Sequence, residues 1–209
     1  SSFAEDILAM KASILTSQGK HEEALITFKE LEVKTTTADN RLSAQLGVLR
    51  SANKLNYYAT IVDYANKLLD NGALTAEEDK EIRFGRAFAQ YKQGNHDEAS
   101  KNFAELAPNT NSIYGAQAAY YLAEVQFNTN QLSKAETTLN TFIDAGTEHE
   151  YWLARAFILL ADVYHKQGNS FEATEYLESL KNNYPGKNDD IFELIESRLS
   201  KWNQSKSKN

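Results

Sequence analysis

The chain contains no cysteine, only two prolines and no long apolar run. Without cysteine it can form no disulfide, no thiolate nucleophile and no thiolate metal site. Because proline is confined to Pro108 and Pro185, long helices are permitted almost everywhere. No apolar stretch approaches the roughly 20 residues that a membrane-spanning helix needs. The composition therefore permits long helices and predicts no membrane-spanning segment.

Basic charge is also scarce. The 209 residues include 22 lysines and arginines against 29 aspartates and glutamates, which gives a formal net charge of -7. Proteins that bind nucleic acid carry a basic surface, and here the basic residues cluster only in the short tail at 206–208. This composition argues against DNA or RNA as the ligand. A hydrophobic fraction of 42% is typical of a folded globular chain.

A short motif recurs along the chain. The segments TSQGKHEEALITF, YKQGNHDEASKNF and HKQGNSFEATEYL end at Phe28, Phe103 and Leu177, and two weaker copies end at Ala65 and Leu139. Near the start of each copy is a glycine or asparagine, the residues that best tolerate the left-handed conformation at a helix C-terminus. These turn residues recur every 36 to 38 positions and are Gly19, Asn56, Gly94, Asn130 and Gly168. The chain is therefore a repeat array.

Each repeat predicts two helices separated by the turn. Apolar residues recur at helical spacing on both sides, and small alanines in the first helix allow close helix contact, at Ala12, Ala87, Ala123 and Ala161. Thr75 with Glu78, and Thr147 with Glu150, have the spacing of a helix-capping box. Five antiparallel pairs of this kind predict an all-α fold of the solenoid type.

The segment FILLADVYHKQGNSFEATEYLESLKNNYP, residues 157–185, resembles a tetratricopeptide repeat (TPR). The resemblance extends over about residues 4–185 and implies a right-handed α-solenoid. It is weakest at 45–69, where Ile61 replaces the usual alanine and Gly47 indicates a shifted first helix. The period exceeds the usual 34 residues of this family, because linker residues such as 35–37 join the units.

Longer-period arrays of this sort resemble those of bacterial envelope assembly and Tol-associated proteins. That likeness implies a location on the periplasmic side of a bacterial envelope. A cytoplasmic adaptor would have the same sequence features.

The resemblance divides the chain into five units and a closing helix. We expect a capping helix at 186–203, with Asp190 and Glu193 at its start and an apolar face that includes Trp202, followed by a polar tail at 204–209. Because residues 3–15 already form a repeat helix, we also expect further repeats before Ser1. The predicted units are 4–34, 40–71, 76–108, 114–145 and 148–185.

The sequence offers no pattern for catalysis or for a cofactor. No two histidines have the one-turn spacing that presents both rings to a metal ion. No glycine-rich phosphate loop and no nucleophile elbow is present. We therefore predict no catalytic residue, no metal and no cofactor.

In the TPR family the first helix of each pair lines a concave groove that binds peptides or helices. The resemblance implies that the corresponding residues here contact a partner with apolar anchors and some positive charge. These residues are Phe84, Phe88 and Tyr91 in the third unit, Tyr120, Glu124 and Phe127 in the fourth, and Ile158, Asp162 and His165 in the fifth.

The same aromatic residues have an alternative interpretation as core. If the helix register of the third unit is shifted by one residue, Phe84, Phe88 and Tyr91 form a stripe that faces the core. The same shift moves two arginines outward. Core is the favoured interpretation for these three aromatic residues, because arginines are rarely fully buried. Tyr120 and Phe127 are equally consistent with core and groove.

The predicted function is a non-catalytic protein–protein interaction scaffold that binds a peptide or helix on its concave face. Glu124 and Asp162 stand where the family's clamp for a peptide carboxylate has cationic or amide residues, which argues against such tails as ligands. The alternative is a structural spacer, or a self-associating segment of a longer repeat protein that joins end to end through Leu8 and neighbouring repeat faces. An enzyme subunit would instead need a deep pocket with convergent titratable groups.

Overall fold

In the computed structural model, residues 2–70, 73–186 and 188–206 are described, and within them all regular secondary structure is helical. Eleven helices follow one another along this part of the chain. They are α1 (Ser2–Ser17), α2 (His21–Lys34), α3 (Ala38–Leu55), α4 (Tyr58–Asp70), α5 (Ala76–Lys92), α6 (His96–Leu106), α7 (Ile113–Asn128), α8 (Leu132–Ala145), α9 (Glu150–Lys166), α10 (Ser170–Asn183) and α11 (Ile191–Lys206).

The predicted turns between paired helices are confirmed. Each predicted turn residue has a positive φ. Glycine adopts this backbone conformation without strain, and asparagine tolerates it better than most other residues do. The values are 72° at Gly19, 57° at Asn56, 80° at Gly94, 61° at Asn130 and 93° at Gly168.

The helices form two compact units, residues 1–102 and 103–209, divided within α6. In the N-terminal unit α1 packs on α2, α3 packs on both, and α4 packs on α3 and α5. In the C-terminal unit α9 contacts α7, α8, α10 and α11. The N-terminal unit has one buried apolar cluster, formed mainly by α3, α4 and α5. The C-terminal unit has two, one around α7–α9 and one between α9, α10 and α11.

Small residues let the paired helices approach closely. The predicted alanines Ala12, Ala87, Ala123 and Ala161 all have no exposed surface. Their counterparts in the second helices, Ala24, Ala99, Ala135 and Ala173, are equally buried. In the second pair Ile61 takes this place and is also buried, so the larger side chain is accommodated.

Of the predicted helix caps, one forms as expected. Thr75 Oγ1 accepts from the Glu78 N–H and the Glu78 carboxylate accepts from the Thr75 N–H, which completes a capping box. The prediction for Thr147 is wrong, because its hydroxyl donates to the Thr110 carbonyl at 2.7 Å and α9 begins after His149. The closing helix starts at Ile191, whose N–H donates to Asp189 rather than to the predicted Asp190.

The first helix of the second pair is not shifted. Leu49 and Ala52 of α3 are buried seven and four residues before the turn residue, as are Ala12 and Leu15 of α1. Gly47 lies buried in the middle of α3. A Cβ atom at this position would lie 2.5 Å from the ring of Phe28 on α2. Gly47 is therefore explained by a close contact between α2 and α3 and not by a change of register.

Helix α11 covers the last pair. Ile191, Ile195, Leu199 and Trp202 are buried against α9 and α10, while Phe192 is half-buried. The backbone at 204–206 continues α11, and residues 207–209 of the predicted tail lie outside the described residues.

Candidate functional site

The nine predicted partner-binding residues occupy three equivalent positions in the third, fourth and fifth repeats. Counted back from the turn residue, these positions are ten, six and three residues earlier, as in Ile158, Asp162 and His165 before Gly168. We call them the groove positions. In the first two repeats they carry Ala9, Ser13 and Thr16, and then Leu46, Arg50 and Asn53.

The groove positions of the first two repeats line a large cavity in the N-terminal unit. Its volume is about 880 Å³, and its walls come mainly from the first helices α1, α3 and α5. Five of the six groove-position residues in these two repeats contribute to it, namely Ser13, Thr16, Leu46, Arg50 and Asn53. We call this cavity the N-terminal groove.

The N-terminal groove has a polar wall of short side chains. Ser13 and Thr16 on α1 and Ser43 and Ser51 on α3 present hydroxyl groups, and Gly47 presents backbone. Hydroxyls donate and accept hydrogen bonds, so they suit a ligand with an exposed peptide backbone. Their small volume is also what leaves this space unfilled.

One ion pair lies in the wall of the N-terminal groove. Arg50 Nε and Nη2 on α3 donate to Glu81 Oε1 and Oε2 on α5, at 3.1 and 2.8 Å. His21, after the first turn, lines the same cavity, and its Nδ1 atom has no hydrogen-bond partner in the described part of the chain. The wall therefore offers charges of both signs to a ligand.

In the third repeat the groove positions form an aromatic row. The rings of Phe84 and Phe88 stack with centroids 6.1 Å apart, and Tyr91 meets Phe88 edge to face at 6.5 Å. The Lys92 ammonium lies 5.1 Å from the centre of the Phe88 ring. All three aromatic residues are half-buried, whereas the fully buried residues of α5 are Ile82, Ala87 and Ala89. The row is thus at the edge of the core rather than inside it.

In the C-terminal unit the groove positions line a smaller crevice of about 190 Å³. Tyr120, Glu124 and Phe127 of α7 face Ile158 and Asp162 of α9 across it. Arg155 on α9 and Arg198 on α11 complete the charged part of the wall, together with Asn128 and Leu159. Five of these residues were predicted to share one face, and they line one crevice in the structure.

Tyr120 and Ile158 are core residues, which corrects their prediction as partner contacts. Their exposed fractions are only 4% and 1%. The Tyr120 hydroxyl donates to Glu124 Oε1 at 2.7 Å and accepts from Arg155 Nη2 at 2.8 Å. Burial raises the pKa of Tyr120, and the charge of Glu124 raises it further. The phenol stays protonated and holds Glu124 and Arg155 together.

Helix α11 contacts the remaining groove positions of the fifth repeat. Arg198 donates from Nε and Nη2 to the Asp162 carboxylate, at 2.7 to 2.8 Å. The His165 ring stacks on Trp202 with centroids 4.2 Å apart and an angle of 12°. Part of this predicted surface is thus bound by the chain's own closing helix.

The groove positions of the first two repeats were missed because they lack aromatic residues. Ser13, Thr16 and Asn53 resemble ordinary surface residues in the sequence. Their signal is positional: each falls six or three residues before a turn, where later repeats carry Phe88, Glu124 or Phe127.

Among the described residues, no three histidine or acidic side chains are grouped so as to hold a metal ion. Nor does any helix in that part of the chain have the length and apolar character needed to cross a membrane.

Comparison with known proteins decides the family. A family model described as a tetratricopeptide repeat-like domain matches residues 71–191, more than half of the chain. The chain belongs to the tetratricopeptide repeat-like family. No curated protein matches the sequence of this TPR-like chain.

Solved structures share the fold of this TPR-like chain. YrrB, a TPR protein with an unusual peptide-binding site, is 16% identical, with 92% of this chain and 90% of YrrB covered and a TM-score of 0.66. The MamA protein is also 16% identical, with 90% of this chain and 98% of MamA covered and a TM-score of 0.69. The predicted fold class, all-α with TPR-like helix pairs and a closing helix, is confirmed.

Proposed function

We propose that this TPR-like chain is a non-catalytic protein-interaction scaffold that binds an extended peptide in the N-terminal groove. The observation that carries the proposal is that five of the six groove-position residues on α1 and α3 line one cavity of about 880 Å³. Ligand sites are typically concave and of this size. The peptide-binding site of YrrB supports a ligand of the same class.

The chemistry of the wall favours a peptide backbone over an apolar helix. Most of the groove side chains on α1 and α3 are hydroxyls or amides, which can bond to peptide N–H and C=O groups. The Arg50–Glu81 pair and Lys54 add charges of both signs. In the C-terminal unit, by contrast, Tyr120 and Ile158 are buried and Asp162 is bound by Arg198. The N-terminal groove is therefore the proposed site.

The test is a groove variant that uses the protein's own residues. Ser13→Phe with Thr16→Tyr gives α1 the residues that α5 carries at the same positions, Phe88 and Tyr91, so the repeat tolerates them. Peptides are selected from a random library with the wild-type chain, and their dissociation constants are measured by fluorescence anisotropy. We expect filling the groove to weaken binding by about tenfold or more, because the peptide loses its contact surface.

The matched control is Ser133→Phe with Thr137→Tyr, which makes the same replacements at exposed positions of α8. Its affinity should stay within about twofold of wild type, since exposed sites away from an interface contribute little. Equal affinity of the groove variant and the control, or a library that yields no binding peptide, would refute the proposal.

A further inference from the structure

Helix α1 has an outward face of large apolar side chains. Phe3, Ile7, Met10 and Ile14 are 74%, 51%, 66% and 49% exposed. They recur at intervals of four, three and four residues, so they form one stripe along the helix. We call this stripe the α1 seam. A contiguous exposed apolar stripe of this kind is typical of an interaction surface.

Equivalent positions elsewhere in the chain are buried. Ile7 and Ile14 lie twelve and five residues before their turn. At these positions α3, α5 and α9 carry Ala44 and Ser51, Ile82 and Ala89, and Ala156 and Val163, all of them buried. In α5 and α9 these residues belong to apolar clusters shared with the preceding helices. The apolar side chains of the α1 seam are thus at least as large as their counterparts, yet they are exposed.

We propose that the α1 seam is a dimer interface, in which α1 packs in parallel on α1 of a second copy of this chain. The four-three-four spacing is that of the a and d positions of a coiled coil, with Phe3 and Met10 at d and Ile7 and Ile14 at a. Such a stripe is self-complementary, so two copies related by a two-fold axis can pack it on itself. This proposal goes beyond the peptide-binding function and does not depend on it.

The charges beside the α1 seam fit this arrangement. Asp6 and Lys11 are exposed and flank the seam on opposite sides, at the g and e positions. In a parallel coiled coil, a g residue lies near the e residue five positions later on the other helix. Asp6 of one copy therefore faces Lys11 of the other, and the two-fold axis produces this pair twice.

Association of one end with the other is disfavoured. At the C-terminal end, α11 turns its apolar residues inward and leaves Glu193, Glu196 and Lys201 exposed. Between residues 188 and 203, where the structure describes the side chains of this end, no exposed apolar stripe is present to receive the α1 seam. Leu8, the residue predicted to mediate end-to-end contact, is half-buried and lies beside the seam rather than on it.

The proposal is tested by sedimentation velocity over a concentration series. We expect the 209-residue chain to form a dimer and Met10→Glu to raise the dissociation constant by roughly a hundredfold, because it buries an unpaired charge in the seam. The matched control is Ile26→Glu, at a position 62% exposed on the outer side of α2, and it should leave the constant unchanged. Circular dichroism of each variant verifies that the helices remain folded.

A charge exchange tests the parallel orientation. Asp6→Lys alone and Lys11→Asp alone each place like charges together twice, and each should weaken the dimer about tenfold. The double variant Asp6→Lys/Lys11→Asp restores both pairs and should return near wild-type affinity.

The absence of cysteine allows a second measurement with the same chain. In parallel packing Met10 lies opposite Met10 of the other copy, so Met10→Cys should form a disulfide-linked dimer under mild oxidation, and Ile26→Cys should not. A wild-type chain that stays monomeric at high micromolar concentration would overturn the proposal. So would a dimer unaffected by Met10→Glu, or a double charge variant as weak as the single ones.

Discussion

At the scale of single residues, Glu5 shows how a buried charge links the first repeat to the second. Its carboxylate is only 5% exposed and accepts hydrogen bonds from Thr35 Oγ1 at 2.9 Å, Thr36 Oγ1 at 3.4 Å and Asn40 Nδ2 at 3.0 Å. The threonine linker that lengthens this repeat thus supplies the donors for a charge on α1. The bonds from Asn40 and then Thr35 hold the pKa of Glu5 below its ordinary value of 4.5.

Glu5 makes the stability of the chain dependent on pH. Since its pKa is lower in the folded state than in the unfolded state, its contribution is complete above pH 4.5 and is lost as the pH falls through the folded value. We expect Glu5→Gln to lower the thermal midpoint at pH 7, and the difference from wild type to shrink in acid. Thermal unfolding followed by circular dichroism, at pH 7 and below pH 4, measures this difference.

The control for Glu5→Gln is Glu30→Gln. Glu30 pairs with Lys34 one turn away on the surface of α2, at 2.6 Å, and surface pairs of this kind contribute little. An equal loss of thermal midpoint in the two variants would contradict the role assigned to the Glu5 network.

At the scale of helices, Gly47 and Gly85 occupy the same repeat position but have different surroundings. Both lie nine residues before a turn, in the middle of α3 and α5, where glycine weakens a helix relative to alanine. At Gly47 an added Cβ would lie 2.5 Å from Phe28, whereas at Gly85 the nearest atoms, of Asn53, are 3.7 Å away. The same substitution should therefore have opposite effects at the two sites.

We expect Gly47→Ala to destabilise the chain by ~1–3 kcal/mol, because the Phe28 ring must move out of a packed position. Gly85→Ala should stabilise it by about 0.5–1 kcal/mol through helix propensity alone. Urea denaturation measures both free energies of unfolding.

A second substitution identifies the cause of the Gly47→Ala effect. Phe28→Leu shortens the side chain that the new methyl group meets, so Gly47→Ala should cost less in the Phe28→Leu background than in wild type. Equal costs in the two backgrounds would mean that the contact with Phe28 does not explain this glycine.

At the scale of the whole molecule, the sequence predicts the features that local residue patterns determine, namely the turns and the order of the helices. The turn residues Gly19, Asn56, Gly94, Asn130 and Gly168 are recognisable because few residues adopt a positive φ, and their spacing gives the order of helices. The groove positions are those that the resemblance to the TPR family implies, placed on this sequence relative to the turn residues. Consequently five of the nine residues that line the C-terminal crevice were named without knowledge of the structure.

What the sequence does not predict depends on contacts between distant residues. Arg198 bonds to Asp162 across 36 positions, and Trp202 stacks on His165 across a similar distance, so their pairing is invisible to periodicity. Thr147 has the same capping pattern as Thr75, yet its hydroxyl bonds to Thr110 instead. The burial of Tyr120 and Ile158 likewise follows from packing of neighbouring helices around them.

The two terminal helices should differ in protection against amide hydrogen exchange. Helix α11 buries its apolar face, while α1 leaves the α1 seam exposed, so α1 opens with less loss of buried surface. In dilute solution we expect exchange in α1 to be faster than in α11 between Ile191 and Trp202. Mass spectrometry of peptic peptides measures both, and equal rates would show that terminal position alone governs opening.

Helix α11 also forms part of the wall of the C-terminal crevice. Arg198 and Trp202, one helical turn apart, bind Asp162 and His165 as an outside ligand would. Helix α11 therefore competes with any other polypeptide segment for contact with Asp162 and His165. Such a segment would have to displace α11 from these two residues. Access to Asp162 and His165 therefore depends on whether α11 stays packed on α9.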